Sequence, residues 1–324
     1  MTTTQAYQFA VTDRLRRVIR LARPLDADEW LAGLPDQVAG YAADWRLRLT
    51  GLPDSGAMSC CVFAETQGGT PVVLKIPVDR ASGVRESDIL SPWSVRGVSP
   101  RVLLSDRGTG AFVMERVVPG VAAEPTGGMR EVRDVTSLLR TLHATCPPAG
   151  PPLTPIDAAV AVRLDWAAER FVSTRNPAGS ALVEMARVLI SILKEENVVP
   201  ALLHGDFQPK NILRGDGGRL FAVDPFAHTG DPMSDYALWT VVQASSVPIG
   251  TRVEQLVEVA KLDGTRLRLW VALFAILELR PYALTYTPRM AEYLCGEGAA
   301  LLRSCGLAHP ADTVRRCMAV AAVP

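Results

Sequence analysis

Most of the residues that could do chemistry lie between Leu202 and Trp239, in the stretch LLHGDFQPKNILRGDGGRLFAVDPFAHTGDPMSDYALW. Asp206 follows His204-Gly205 and is separated from Asn211 by four residues; a short apolar run, Leu220 to Val223, then delivers Asp224, thirteen residues after Asn211. Phosphoryl transfer asks little of a protein beyond positioning and charge neutralisation. In that chemistry one carboxylate orients an acceptor hydroxyl and takes its proton. An amide oxygen and a second carboxylate hold magnesium, a hard cation that prefers oxygen ligands, against the nucleotide phosphates. The segment carries that set. The simpler alternative is a turn rich in Asp, Gly and Asn that only joins two strands, and spacing and composition together weigh against it.

A second group lies upstream. Lys75 sits in Val72-Val73-Leu74-Lys75-Ile76, where a strand would present one ammonium to phosphates. Glu86 follows eleven residues later on a predicted short helix and is the matching carboxylate, with Asp88 the weaker alternative. Leu52 to Ser59 is the candidate loop over the phosphates, offering Ser55, Gly56 and Ser59 as backbone or hydroxyl donors. Its glycine content is low and it fits neither a G-x-G-x-x-G nor a Walker pattern, so an ordinary hairpin turn stays open.

The segment HGDFQPKNIL (204–213) resembles the catalytic loop of the aminoglycoside phosphotransferase family, which is similar in fold and chemistry to the eukaryotic protein kinases. AVDPFAHTGDPMSD (222–235) resembles the metal-binding segment of the branch containing streptomycin 6-phosphotransferases and hydroxyurea phosphotransferases. There a D-P pair precedes G-D-P and a further Asp, matching Asp224-Pro225, Gly230-Asp231-Pro232 and Asp235. The resemblance implies Asp206 as catalytic base, Asn211 and Asp224 as Mg2+ ligands, and Lys75, paired with Glu86, on the phosphates of ATP or GTP. By the same analogy Glu115-Arg116-Val117-Val118 is a hinge whose backbone, at Glu115 and Val117, holds the purine edge. Gln208 and Lys210 depart from the family, which usually carries His and a small residue there. Both flank the acceptor side, so they bear on substrate more than on reaction. His143, His204, Asp231 and Asp235 read as structural anchors.

Elements must position these groups. Residues 1 to about 45 read as helical, with Leu15, Val18, Ile19 and Ala22 at helical spacing, Pro24 closing the segment, and Asp26 or Asp28 capping a second helix. Strands are predicted at 46–49, 60–64, 71–76, 102–104 and 111–115, with a helix from Ala81 to about Ser91 that Pro92 ends. Pro119-Gly120 marks the boundary. Beyond it the pattern predicts helices over 129–143, 156–175, 178–197, 253–262, 267–279, 289–305 and 311–320, with a proline-rich linker at 146–155. The expected fold is α+β, a two-lobed protein-kinase-like architecture: residues 1–117 an antiparallel-sheet nucleotide-binding lobe with a helical preface, residues 118–324 a mainly helical catalytic and acceptor-binding lobe.

Composition narrows the partners. The 324 residues carry 34 Lys and Arg against 34 Asp and Glu, which gives no electrostatic case for nucleic acid or an anionic membrane. The longest apolar run, Leu269 to Leu277, is too short to span a bilayer. The first thirty residues lack the apolar stretch of a signal peptide, and six cysteines without C-x-x-C spacing suit reduced thiols, so a cytoplasmic protein is expected. The expected activity is Mg2+-dependent transfer of a nucleotide γ-phosphate to a hydroxyl of a small-molecule antibiotic, conferring resistance. A kinase of a sugar or amino alcohol, and a non-catalytic nucleotide-binding regulator, are the alternatives. From Thr240 to Pro324 there are nine Lys or Arg against seven Asp or Glu. A pocket for a polycationic aminoglycoside should be rich in carboxylates; this excess, with Arg280, Tyr282, Tyr286 and Arg289, favours a neutral or mildly acidic acceptor. Streptomycin is favoured by motif; a nucleoside or peptide antibiotic such as capuramycin or viomycin is favoured by charge.

Overall fold

The computed structural model describes residues 7–22, 27–53, 59–123, 125–148, 152–195, 198–243, 245–281, 283 and 286–320. The chain divides into two compact units, Met1–Gly120 and Val121–Pro324.

In the first unit, helices α1 (Asp13–Ala22) and α2 (Ala27–Asp44) precede β1 (Arg48–Gly51), β2 (Ser59–Glu65) and β3 (Pro71–Pro77). Helix α3 (Arg80–Val95), β4 (Val102–Ser105) and β5 (Phe112–Glu115) complete it. The five strands form one antiparallel sheet in the order β1-β2-β3-β5-β4. Alternation along the strands sends successive side chains to opposite faces. Cys60, Val62 and Ala64 of β2 and Val72, Leu74 and Ile76 of β3 join Ile19, Leu31, Leu34 and Val38 of the two helices in one core. Register places Cys61 and Phe112 opposite Lys75, which therefore share the other face. Pro24 and Asp26 lie outside the described residues, and Asp28 sits inside the first turn of α2.

The helix expected to stop at Pro92 does not stop there. Helix α3 runs through Pro92 to Val95, with Asp79 capping its start by accepting the Ser82 N–H at 2.8 Å. A proline inside a helix forfeits one backbone hydrogen bond. Here the next turn carries Trp93, fully buried beside Ile89 and Leu90, and that apolar burial outweighs the lost bond.

Strand β6 (Pro119–Ala122) runs across the boundary between the units. The second unit holds α4 (Met129–His143), α5 (Ile156–Ser173), α6 (Pro177–Glu195), β7 (Ala201–Leu203), β8 (Ile212–Gly215), β9 (Leu220–Ala222), β10 (His228–Gly230) and α7 (Met233–Val241). It closes with α8 (Ile249–Ala260), α9 (Gly264–Leu277), α10 (Thr287–Cys295), α11 (Glu297–Ser304) and α12 (Pro310–Val320). Helix α9 is its axis. Every residue from Leu269 to Leu277 is buried, and α5, α6, α7, α8, α10 and α11 all pack on it. That explains the nine-residue apolar run as a core helix, and no helix among the described residues is long and apolar enough to cross a membrane.

Two differences from the sequence pattern matter. The helix expected over 289–305 is two helices, broken at Gly296, whose φ of −98° and ψ of −110° lie outside the helical region. Strand β10 and helix α7 were not foreseen. β10 is only His-Thr-Gly and forms by pairing antiparallel with β7, so nothing local announces it.

Candidate active site

Strand β7 carries the chain into His204-Gly205-Asp206. Gly205 adopts a φ of +76°, and a Cβ there would meet the His228 ring at 2.7 Å, so conformation and space both require glycine. The loop is held from beneath by Asp235, in the first turn of α7 and 1% exposed. Its Oδ2 accepts the His204 N–H at 2.8 Å and lies 3.0 Å from His143 Nε2; its Oδ1 accepts the Gly205 N–H at 3.0 Å. Burial alone would push this carboxyl up, but the bonds from His143 and His204 hold it below its usual range. Asp231 is equally committed: Oδ2 accepts from Arg266 Nε and Trp270 Nε1, both at 2.6 Å, and Oδ1 from the Met233 N–H at 3.0 Å. Both aspartates and His143 anchor backbone and helices.

His204 is fully buried. Its Nε2–H donates to the Val223 carbonyl at 3.0 Å, and its Nδ1 accepts the Asp206 N–H at 3.3 Å. Burial lowers its pKa from 6.5, with Asp235 and Asp206 opposing in part, so it serves as a neutral strut. An unfolded chain binds a proton at His204 more readily than the folded one. Stability from this residue is therefore complete above pH 6.5 and is lost as pH falls below that value. We predict that the urea midpoint drops between pH 7.5 and 5.5, and that His204→Gln shows a flatter dependence over the same window. An unchanged slope in the variant would remove His204 from that account.

Four side chains surround the Asp206 carboxylate. Gln208 Nε2 donates to Oδ1 at 2.6 Å, and Arg163 Nη2 donates to the same oxygen at 3.3 Å. Asn211 Nδ2 donates to Oδ2 at 2.9 Å, and Lys210 Nζ lies 3.6 Å from it. Gln208, the departure from the family pattern, thus holds the carboxylate by its amide. Asn211 ends a 3-10 turn, Pro209–Asn211, and Nδ2 also donates to the Asp206 carbonyl at 2.9 Å. With the nitrogen so engaged, Oδ1 is the atom left to face a cation. The Val223 N–H donates to the Asn211 carbonyl at 2.9 Å, which draws the end of β9, and Asp224 after it, alongside Asn211. Asp224 is exposed and held at a φ of +55°, an uncommon conformation for a residue other than glycine.

These donors fit magnesium. Among the described residues no group of three His, Cys, Asp or Glu could hold a metal alone. An amide oxygen and one carboxylate, completed by phosphates and water, is a set that Mg2+ uses at nucleotide sites. Arg163 escaped the sequence reading. It lies 43 residues from Asp206, on α5, with no local signature; only the packing of α5 reveals it.

In the first unit, Lys75 Nζ donates to Glu86 Oε1 at 2.7 Å, and both residues are buried, at 4% and 7% exposure. Asp88, the weaker alternative, pairs with Arg107 at 2.7 and 3.2 Å. Of the candidate loop, Ser55 and Gly56 lie outside the described residues; Ser59 is buried at the start of β2. At the expected hinge the Glu115 N–H donates to the Arg101 carbonyl at 2.9 Å, and its carboxylate pairs with Arg101.

One unit is an antiparallel sheet with a buried Lys–Glu pair and the other is mainly helical with an Asp-centred loop, and comparisons with known proteins identify this fold as that of a kinase-like phosphotransferase acting on a hydroxyl. Residues 44–279 match the profile described as "Aminoglycoside/hydroxyurea antibiotic resistance kinase", and the chain belongs to that family. It is 29% identical over 249 residues to a hydroxyurea phosphotransferase of Kitasatospora aureofaciens, covering 75% of this chain and 71% of that protein. It is 26% identical over 251 residues to a streptomycin 6-kinase of Streptomyces griseus, covering 74% and 80%. Among solved structures it is similar to a choline/ethanolamine kinase family protein from Mesorhizobium loti (TM-score 0.56, 19% identity, 89% of this chain and 95% of that one).

Proposed function

We propose that the chain transfers the γ-phosphate of ATP or GTP, with Mg2+, to a hydroxyl of a small-molecule antibiotic in the cytoplasm, and so inactivates it. The observation that carries this reading is the Asp206 carboxylate, oriented by Gln208 and Asn211 on a loop whose backbone Asp235 fixes. The acceptor hydroxyl donates its hydrogen bond to Asp206. As its oxygen bonds to the γ-phosphorus, the proton passes to the carboxylate and the bond from phosphorus to the β–γ bridging oxygen breaks. Asn211 Oδ1 and the Asp224 carboxylate would hold magnesium, which supplies charge neutralisation to the phosphates. Lys75, held extended by Glu86, contacts the nucleotide phosphates, and Ser59, Glu115 and Val117 contribute hydroxyl and backbone contacts.

The testing experiment is nucleotide turnover with Mg2+, ATP or GTP, and a panel of hydroxyl-bearing antibiotics, sugars and amino alcohols. Turnover dependent on one antibiotic supports the reading and names the acceptor; turnover only with a sugar or amino alcohol replaces it with a metabolite kinase. Asp224→Ala is expected to weaken Mg2+-dependent nucleotide binding by about tenfold or more, since one of two protein ligands is lost. Calorimetric titration with and without Mg2+ measures it, and equal affinity in variant and parent would remove Asp224 from the metal site.

A further inference from the structure

Arg163 has a place in the second unit that none of the sequence motifs announces. It projects from α5 with its guanidinium over the Phe274 ring, 5.9 Å from the centroid. Nη1 donates to Glu278 Oε1 at 2.5 Å, while Nη2 reaches the Gly205 carbonyl and Asp206 Oδ1, both at 3.3 Å. Glu278, which caps the C-terminus of α9, gives its other oxygen to Arg280 Nη2 at 3.3 Å. The side chains of Arg163, Glu278 and Asp206 are 18%, 14% and 23% exposed, so the three are partly shielded from water yet open on one side.

The charged groups joined in this network are Arg163, Lys210 and Arg280 against Asp206 and Glu278. Within this network three cations face two carboxylates, and the nearby Asp224 is the carboxylate assigned to magnesium in the reading above. Glu278, the acidic side chain a cationic acceptor would seek beside Asp206, is held by two guanidiniums. The contact from Arg163 to Glu278 is short and that to Asp206 long. Glu278 thus holds the guanidinium beside Asp206, at a long hydrogen bond to Oδ1.

We propose that Arg163, held by Glu278, is a specificity-determining residue that bars polycationic acceptors from Asp206 and tunes the site for a hydroxyl on an uncharged molecule. This rests on Asp206 being the base of the reading above and names the class of acceptor it serves. A polycation brought to this site meets the mostly shielded Arg163 guanidinium, with Lys210 and Arg280 already paired to the two carboxylates, so the network carries a net positive charge where solvent screening is incomplete. A neutral acceptor meets no such penalty, and its polar groups find guanidinium N–H donors beside the base.

The test measures binding and needs no turnover, so its failure is distinguishable from failure of the phosphotransfer reading. Streptomycin, which carries two guanidinium groups, is titrated calorimetrically into the full chain at low salt. In Arg163→Gln, two carboxylates lose their shared cation, and affinity for the polycation is expected to rise about tenfold. Arg163→Lys keeps the charge and should bind as the parent does. Adding Glu278→Gln to Arg163→Gln should return affinity to the parent's level. Arg280→Gln, at a half-exposed position, should tighten binding about threefold through Glu278. Absence of tightening in Arg163→Gln, or equal tightening in Arg163→Lys, overturns the proposal.

Discussion

Replacing Asp206 with asparagine is expected to lower turnover by about 10²–10⁴-fold while leaving nucleotide affinity within a few-fold of the parent. The substitution preserves shape. What changes is chemistry: an amide cannot accept the alcohol proton. One of its two terminal atoms also becomes a donor, and the atoms around it, Gln208 Nε2, Asn211 Nδ2, Arg163 Nη2 and Lys210 Nζ, are donors too. Of the groups proposed for the nucleotide, Lys75 stays paired with Glu86, and Asn211 keeps its bond to the Asp206 carbonyl. The expected result is a fall in kcat without a matching loss of binding, as for an interaction realised in the transition state. Steady-state turnover and calorimetric nucleotide binding on the same preparation separate the two. An Asp206→Asn enzyme that turns over within a few-fold of the parent would dismiss Asp206 as the base.

The grouping of the candidate residues was easier to read than what supports it. That Asp206, Asn211 and Asp224 come together is legible because a single loop and one short strand carry them, so their separation in sequence is small. The spacing of Lys75 and Glu86 was equally readable, since a strand and the next helix place them 2.7 Å apart. Long, strongly patterned helices such as α4 were legible for the same reason: Val132, Val135, Leu138, Leu139 and Leu142 mark one face, and all are buried. What could not be read is whatever depends on packing between distant segments. Arg163 reaches Asp206 from α5 and Glu278 from the end of α9, and no local pattern joins them. Strand β10 exists because β7 offers it partners. Pro92 misled because the rule that proline ends a helix is local, while the burial of Trp93 that carries α3 onward is tertiary. Gly296 misled in the opposite sense: an apolar face continues across it while the backbone turns.

Asp235→Ala is expected to be strongly destabilising. The carboxylate accepts the N–H groups of His204 and Gly205 and a bond from His143, in a place fully removed from solvent. Truncation leaves two buried backbone donors unsatisfied, each costing about 1–3 kcal/mol, and takes the partner from His143. A total of about 3–5 kcal/mol, the range for breaking a buried charged network, lowers the melting temperature by roughly 10 °C in a unit of this size. Activity should fall further than stability. Gly205 and Asp206 follow the backbone that Asp235 fixes, and a misplacement of about 1 Å can slow a reaction about 10²-fold. Asp235→Asn keeps one acceptor oxygen and should lose about half as much stability, because one of the two N–H groups stays satisfied. Thermal unfolding of the three proteins, with turnover measured well below each transition, tests both halves. An alanine variant that melts with the parent would mean that the loop holds its shape without Asp235, and that the Asp206 carboxylate owes its orientation to Gln208, Asn211 and Arg163 alone.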